Sequence, residues 1–168
     1  ELTLAGPPGS AGDARALARK IADRQLTRAV QYVGEVRGRQ KAGLLARADV
    51  LVQPSHSEGM PITVLEAFAH GLPVVATQVG AMPEVVEHGA TGLLVPPREP
   101  HALAAAMECL AQDAELRMRC GAEARRVAET RFSPSRLRDD LVRLYDELCG
   151  QTSVPHSGQR PLTLPVSS

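Results

Sequence analysis

Two carboxylates, Glu58 and Glu66, stand with seven residues between them in the stretch Ser57-Glu58-Gly59-Met60-Pro61-Ile62-Thr63-Val64-Leu65-Glu66. The stretch lies between two apolar runs that read as buried strands. A carboxylate in a loop is followed by a Gly-x-Pro turn and then by a helix that carries a second carboxylate early on. Such an arrangement can hold a polyhydroxylated, phosphorylated ligand. Carboxylates accept hydrogen bonds from sugar hydroxyls, and the open amides of a helix N-terminus receive phosphate. Spacing alone explains the pair equally well as a loop acid and a solvated helix acid, so the surrounding elements have to decide.

Those elements alternate. Strand candidates are Leu2–Ala5, Ala29–Val33, Val50–Gln53, Val74–Thr77 and Leu93–Val95. Several are bounded by Gly or Pro, and their continuous hydrophobicity suits strands covered on both faces. Helix candidates lie between them at Asp13–Asp23, Arg39–Ala46, Ile62–Ala69 and Pro83–Glu87. The rhythm predicts an α/β fold, a parallel sheet flanked by helices with right-handed crossovers. Three helices follow, Pro100–Gln112, Ala114–Thr130 and Pro134–Cys149, the last with Ser133 as cap and Pro134 in its first turn. From Gly150 the chain is rich in Ser, Thr, Pro, Gly and Gln without periodicity. The expectation is one domain over 1–149 and a disordered tail over 150–168.

In an open parallel sheet, ligands bind outside the carboxyl ends of the strands. Here those ends lead into Gly6-Pro7-Pro8-Gly9, Gly34-Glu35-Val36, Pro54–Glu58, Gln78–Ala81 and Pro96-Pro97. Glu58 therefore belongs to the functional rim on topological grounds, and Glu66, a turn into the next helix, can face the same crevice.

Composition narrows the partners. The chain has 168 residues and a formal net charge of zero, so long-range attraction to nucleic acid or anionic lipid is not its theme. Its aromatics are few (Tyr32, Phe68, Phe132, Tyr145, and no Trp), which disfavours stacking platforms for sugars or single-stranded nucleic acid. Cys109, Cys120 and Cys149 are odd in number and lack metal-ligand spacing; a reduced, cytoplasmic setting suits them. No pair of histidines has a metal-binding context, so no metal site is expected. Neither a Gly-x-Gly-x-x-Gly nor a P-loop occurs.

The ordered series of motifs is more specific. It runs through Val33-Gly34-Glu35-Val36, Leu44–Val50, Pro54-Ser55 and Glu58-Gly59-Met60-Pro61, then Leu65–Ala76, Gly80–Val86 and Gly89–Val95. In this order and spacing the chain resembles the C-terminal, donor-binding half of retaining GT-B glycosyltransferases. The particular resemblance is to the large group 1 family, with two glutamates separated by seven residues in a Rossmann-like domain. The resemblance implies transfer of a sugar from a UDP-, GDP- or ADP-sugar to a glycan, lipid or other acceptor. The nucleotide sugar is then a substrate, with no separate cofactor.

Site residues carry over by position. Glu66 resembles the glutamate that binds the ribose hydroxyls. Glu58 resembles the one that approaches the donor sugar and stabilises charge as the bond to phosphate breaks. Gly59, Met60, Pro61, Ile62 and Thr63 look like the turn and helix start whose backbone reaches sugar and diphosphate. Val36 falls where main chain meets the nucleobase. A leaving diphosphate gains negative charge, so fixed amide dipoles aimed at it speed its departure.

The departures are equally informative. Relatives carry an Arg and a Lys around an earlier strand, and both grip the diphosphate; no counterpart is evident here. Lys41 is expected on a solvated helix face. The first strand of the domain and the N-terminal acceptor domain are expected to be missing. A cleft with one wall cannot orient an acceptor, so the isolated chain is expected to be inactive. Any membrane contact would come through that absent half. Where relatives have two glycines, this chain has Gly80-Ala81, and Ala81 is either a constraint on the loop or a helix-start residue. His56 reads as an exposed loop residue. The alternative function is a non-catalytic nucleotide or nucleotide-sugar binding module working with a separate partner subunit.

Overall fold

A computed structural model describes residues 1–149. The expected tail over 150–168 lies outside the described residues. The elements run β1 (Leu2–Ala5), α1 (Ala11–Asp23), β2 (Val30–Gly34), α2 (Gly38–Leu45), β3 (Leu51–Gln53), α3 (Ile62–Ala69), β4 (Val74–Thr77), α4 (Met82–Val85), β5 (Gly92–Val95), α5 (Pro100–Gln112), α6 (Ala114–Arg131) and α7 (Pro134–Cys149). The alternating α/β order anticipated from sequence is present, and every strand pairing is parallel.

The pairing forms two ladders, β1–β2 and β3–β4–β5. In the first, Leu2 pairs with Val30 and Leu4 with Tyr32, with an irregularity between Leu4 and Ala5. In the second, Leu51, Val74 and Gly92 align across all three strands, as do Gln53, Ala76 and Leu94. The carboxyl ends of β3, β4 and β5 therefore finish side by side.

Burial is greatest around β4, every residue of which is buried. Val75 and Val95 pack with Ala106 and Leu110 of α5, and Val52, Leu93, Leu103 and Met107 close over them. The apolar side of α5 follows from its Ala- and Leu-rich sequence, started by Pro100 in the first turn, where its missing N–H costs nothing. On α3, Val64, Ala67 and Phe68 are buried, Phe68 completely. Their helical spacing lays one apolar face of α3 against β3 and β4.

Residues Glu1–Glu129 form one compact unit. A second begins at Thr130, and its described part is the end of α6 and α7. Within it the Ser133 hydroxyl accepts from the Arg136 amide at 3.2 Å, the cap expected from Ser133-Pro134. The stripe Leu137, Leu141, Leu144 and Leu148 of α7 is exposed.

Candidate functional site

The loop after β3 is fixed from three sides. Gln53, the last residue of β3, and Ser55 both point their polar groups at Glu58. The Ser55 hydroxyl donates to Glu58 Oε2 at 3.0 Å and accepts from Gln53 Nε2 at 3.1 Å. The same amide reaches Glu58 Oε2 at 3.4 Å. From the neighbouring strand, the buried Thr77 hydroxyl donates to the Ser55 carbonyl at 2.5 Å. The third side is Gly80, with φ +53°, whose Cα lies against the Glu58 backbone so closely that a Cβ there would overlap the Glu58 carbonyl. Only glycine combines that backbone conformation with that approach. Ala81 has an ordinary φ of −79° and caps α4, so it imposes no constraint where relatives have a second glycine.

The turn that follows is open to solvent. Met60 and Ile62 are each 57% exposed, while Pro61 is buried and starts α3. The Pro61 carbonyl accepts from the Val64 and Leu65 amides, and Met60 from Ile62. Gly59 directly follows Glu58 in this turn, and Thr63 is the second residue of α3. The local geometry is a held carboxylate followed at once by an accessible helix N-terminus.

Glu66 lies one turn further on, half-exposed, at the side of a cleft of about 290 Å³ whose walls include Val36, Arg37, Gly38, Lys41 and His70. Val36 and Glu66, far apart in sequence, thus meet in one cavity. The walls of that cavity do not include Glu58 or the turn Gly59–Thr63. A larger cavity, about 390 Å³, lies along α2 between Val33, Val36, Arg39 and Arg47 and contains neither carboxylate. The smaller cleft is the one that carries a carboxylate, Glu66, beside an ammonium, Lys41.

Lys41 differs from its sequence reading. It is not on a solvated face: its ammonium forms an ion pair with Glu66 Oε2 across α2 and α3. The signal for this was helical spacing. Leu45 is the buried residue of α2, and Lys41 precedes it by one turn on the same inward side. A lysine there needs an anion, since unpaired burial of its charge is costly.

Two histidines sit in different surroundings. His56 is exposed in the Glu58 loop. His88 is structural, its Nδ1 accepting from the Leu94 amide at 3.0 Å. Among the described residues, no three His, Cys, Asp or Glu side chains come together as a metal site would need. No helix among them is long and apolar enough to cross a membrane.

A family profile described as glycosyl transferases group 1 matches residues 1–113. D-inositol 3-phosphate glycosyltransferase of Corynebacterium glutamicum is 39% identical over 107 residues, 64% of this chain and 25% of the relative. The Corynebacterium jeikeium enzyme of that name is 34% identical over 135 residues, 80% of this chain and 31% of the relative. The chain thus spans a quarter to a third of the length of these relatives. Among solved structures, Anabaena HepE in complex with UDP superposes with a TM-score of 0.78 at 25% identity, covering 86% of this chain and 40% of that one. Sucrose-phosphate synthase from Thermosynechococcus elongatus superposes at 0.76 with 28% identity, covering 88% and 38%. With its motif order, its parallel α/β architecture and a profile match over most of its length, the chain belongs to the group 1 glycosyl transferase family and has the fold of the C-terminal domain of a GT-B enzyme.

Proposed function

We propose that this chain is the donor-binding domain of a retaining glycosyltransferase that takes a sugar from a nucleoside-diphosphate sugar in the cytoplasm. The observation that carries the reading is the fixed Glu58 carboxylate beside an accessible helix start, with Glu66 one turn away in a cleft shared with Val36. The nucleobase lies along the Val36 backbone and the ribose hydroxyls donate to Glu66. The diphosphate meets the start of α3, whose partial positive charge favours the leaving group. Glu58 then faces the sugar. As the anomeric C–O bond to phosphate breaks, positive charge develops on the sugar and the Glu58 carboxylate stabilises it. The acceptor hydroxyl forms the new C–O bond on the same face and passes its proton to the departing phosphate oxygen, and the nucleoside diphosphate leaves. Glu58 is not a covalent nucleophile in this reading, and no cofactor is assigned.

The sheet supports a further part of the reading. In the doubly wound order 3-2-1-4-5-6, the first strand lies between the second and the fourth. The two ladders, β2–β1 and β3–β4–β5, correspond to 3-2 and 4-5-6. A preceding strand from the same protein would then join β1 to β3, and an acceptor-binding domain before it would supply the other wall of the cleft. Without them the isolated chain is expected to transfer no sugar.

Calorimetric titration with UDP, GDP and ADP, each with and without its common sugars, tests the reading. One nucleotide should bind selectively, and Glu66→Ala should weaken it by about 1–3 kcal/mol through lost hydroxyl contacts. Glu58→Ala should weaken the nucleotide sugar more than the nucleotide. Failure of all three nucleotides to bind would overturn the donor-binding assignment while leaving family membership intact.

A further inference from the structure

We infer that Lys41 is a positioning residue for the nucleotide ribose, acting through Glu66; the inference rests on the donor-binding reading of the same cleft. Lys41 lies on the inward side of α2, its side chain 29% exposed, and its ammonium pairs with Glu66 Oε2. That oxygen is sealed from solvent and takes no hydrogen bond of good geometry. The Glu66 side chain as a whole is nevertheless 39% exposed. The carboxylate is therefore held by one buried oxygen, with its remaining surface turned to the cleft that Val36 also lines.

A glutamate has three side-chain torsions, and a carboxylate free to rotate must be ordered when a ligand binds. Anchoring Oε2 on a fixed ammonium removes most of that cost and leaves Oε1 to accept from a diol. Lys41 also offsets the desolvation of a buried carboxylate oxygen that would otherwise lack a counter-charge. Both roles need the lysine to stay on Glu66 when the nucleotide enters. A lysine that instead swung to the diphosphate would act on the phosphates, not on the ribose. That is the distinction an experiment can read.

The test titrates the wild-type chain, Lys41→Met, Lys41→Arg and Glu66→Gln with UDP, GDP and ADP, each beside its 2′,3′-dideoxy form. Lys41→Met should weaken the ribonucleotide by about threefold to tenfold, the range expected for ordering one side chain. It should leave the dideoxy form unchanged. Lys41→Arg should keep most of the ribonucleotide affinity, and Lys41→Met should add nothing in the Glu66→Gln background. Melting temperatures provide the control for folding. Lys41→Met alone should melt lower than the double variant, in which no buried charge is left unpaired. Equal losses for ribo and dideoxy nucleotides, or no loss, overturn the positioning role while the donor-binding reading stands. A wild-type chain that binds none of the six compounds overturns both. Independent melting effects at 41 and 66 overturn the ion pair itself.

Discussion

The two ladders of the sheet are built differently. In β1 and β2 burial alternates residue by residue: Leu2, Leu4, Val30 and Tyr32 turn inward, while Thr3, Gln31 and Val33 are exposed. In β4 all four residues are buried, with α5 on one side and α3 in contact as well. The half-covered ladder contributes the Val36 loop, proposed for the nucleobase. The ladder built around the buried β4 contributes the Glu58 loop, proposed for the reacting sugar, at the end of its half-buried edge strand β3. The densest packing thus lies in the strand next to the held Glu58 carboxylate, and the proposed base contact follows the thinner half.

The sharpest way to break this contrast is to hollow out the covered half. Phe68→Ala, at a site with no solvent exposure, should cost about 3–5 kcal/mol, read as a drop in urea midpoint. Gly80→Ala should come next, at about 2–4 kcal/mol, because left-handed strain and overlap with the Glu58 carbonyl act together. Its signature should be selective as well: nucleotide-sugar binding lost, nucleotide binding kept. Leu4→Ala, in the half-covered ladder, should cost only about 1 kcal/mol, well below a core truncation. If Leu4→Ala matched Phe68→Ala, the two halves would be equally consolidated and the contrast would fail.

The smallest effect is chemical. The buried Cys120 thiol lies 3.6 Å from the Gly89 carbonyl, and desolvation by burial pushes it above its ordinary 9.0. A folded value above the unfolded one means the associated stabilisation is complete below pH 9.0 and fades as pH rises through the folded value. Cys109 is exposed, so a thiol reagent at neutral pH should label it far faster than Cys120. Equal rates would mean that the covered half opens as readily as the surface does.

Much of this architecture was legible because burial on both faces leaves a plain trace. The continuous run Val74–Thr77 could only be a central strand, and α3 and α5 begin where Pro61 and Pro100 set the backbone for a helix. Boundaries blurred where side-chain burial competed with helix continuation. The helix expected over Pro83–Glu87 is Met82–Val85, since Val86 turns extended and is buried. The division of the sheet was less legible, because strand patterns do not state their neighbours. The position of Glu58 in the loop that leaves β3 was legible from the strand pattern. Lys41 was not, because charge suggested solvent while the opposing Glu66 belonged to another helix. The hydrogen bonds from Gln53 and Ser55 to Glu58 were hidden for a related reason: polar residues near a loop read as ordinary loop chemistry until their directions are known.

The contact between Gly80 and the Glu58 backbone has a consequence for redesign. Two loops from adjacent strands share one wall, with no side chain between them to absorb a change. Widening the proposed sugar site for a bulkier donor by altering the Glu58 loop alone would push it into the β4–α4 connection, and the reverse change would do the same. Donor preference at this corner should therefore shift through paired substitutions in both loops, and libraries that vary one loop at a time should return mostly unfolded or unchanged proteins.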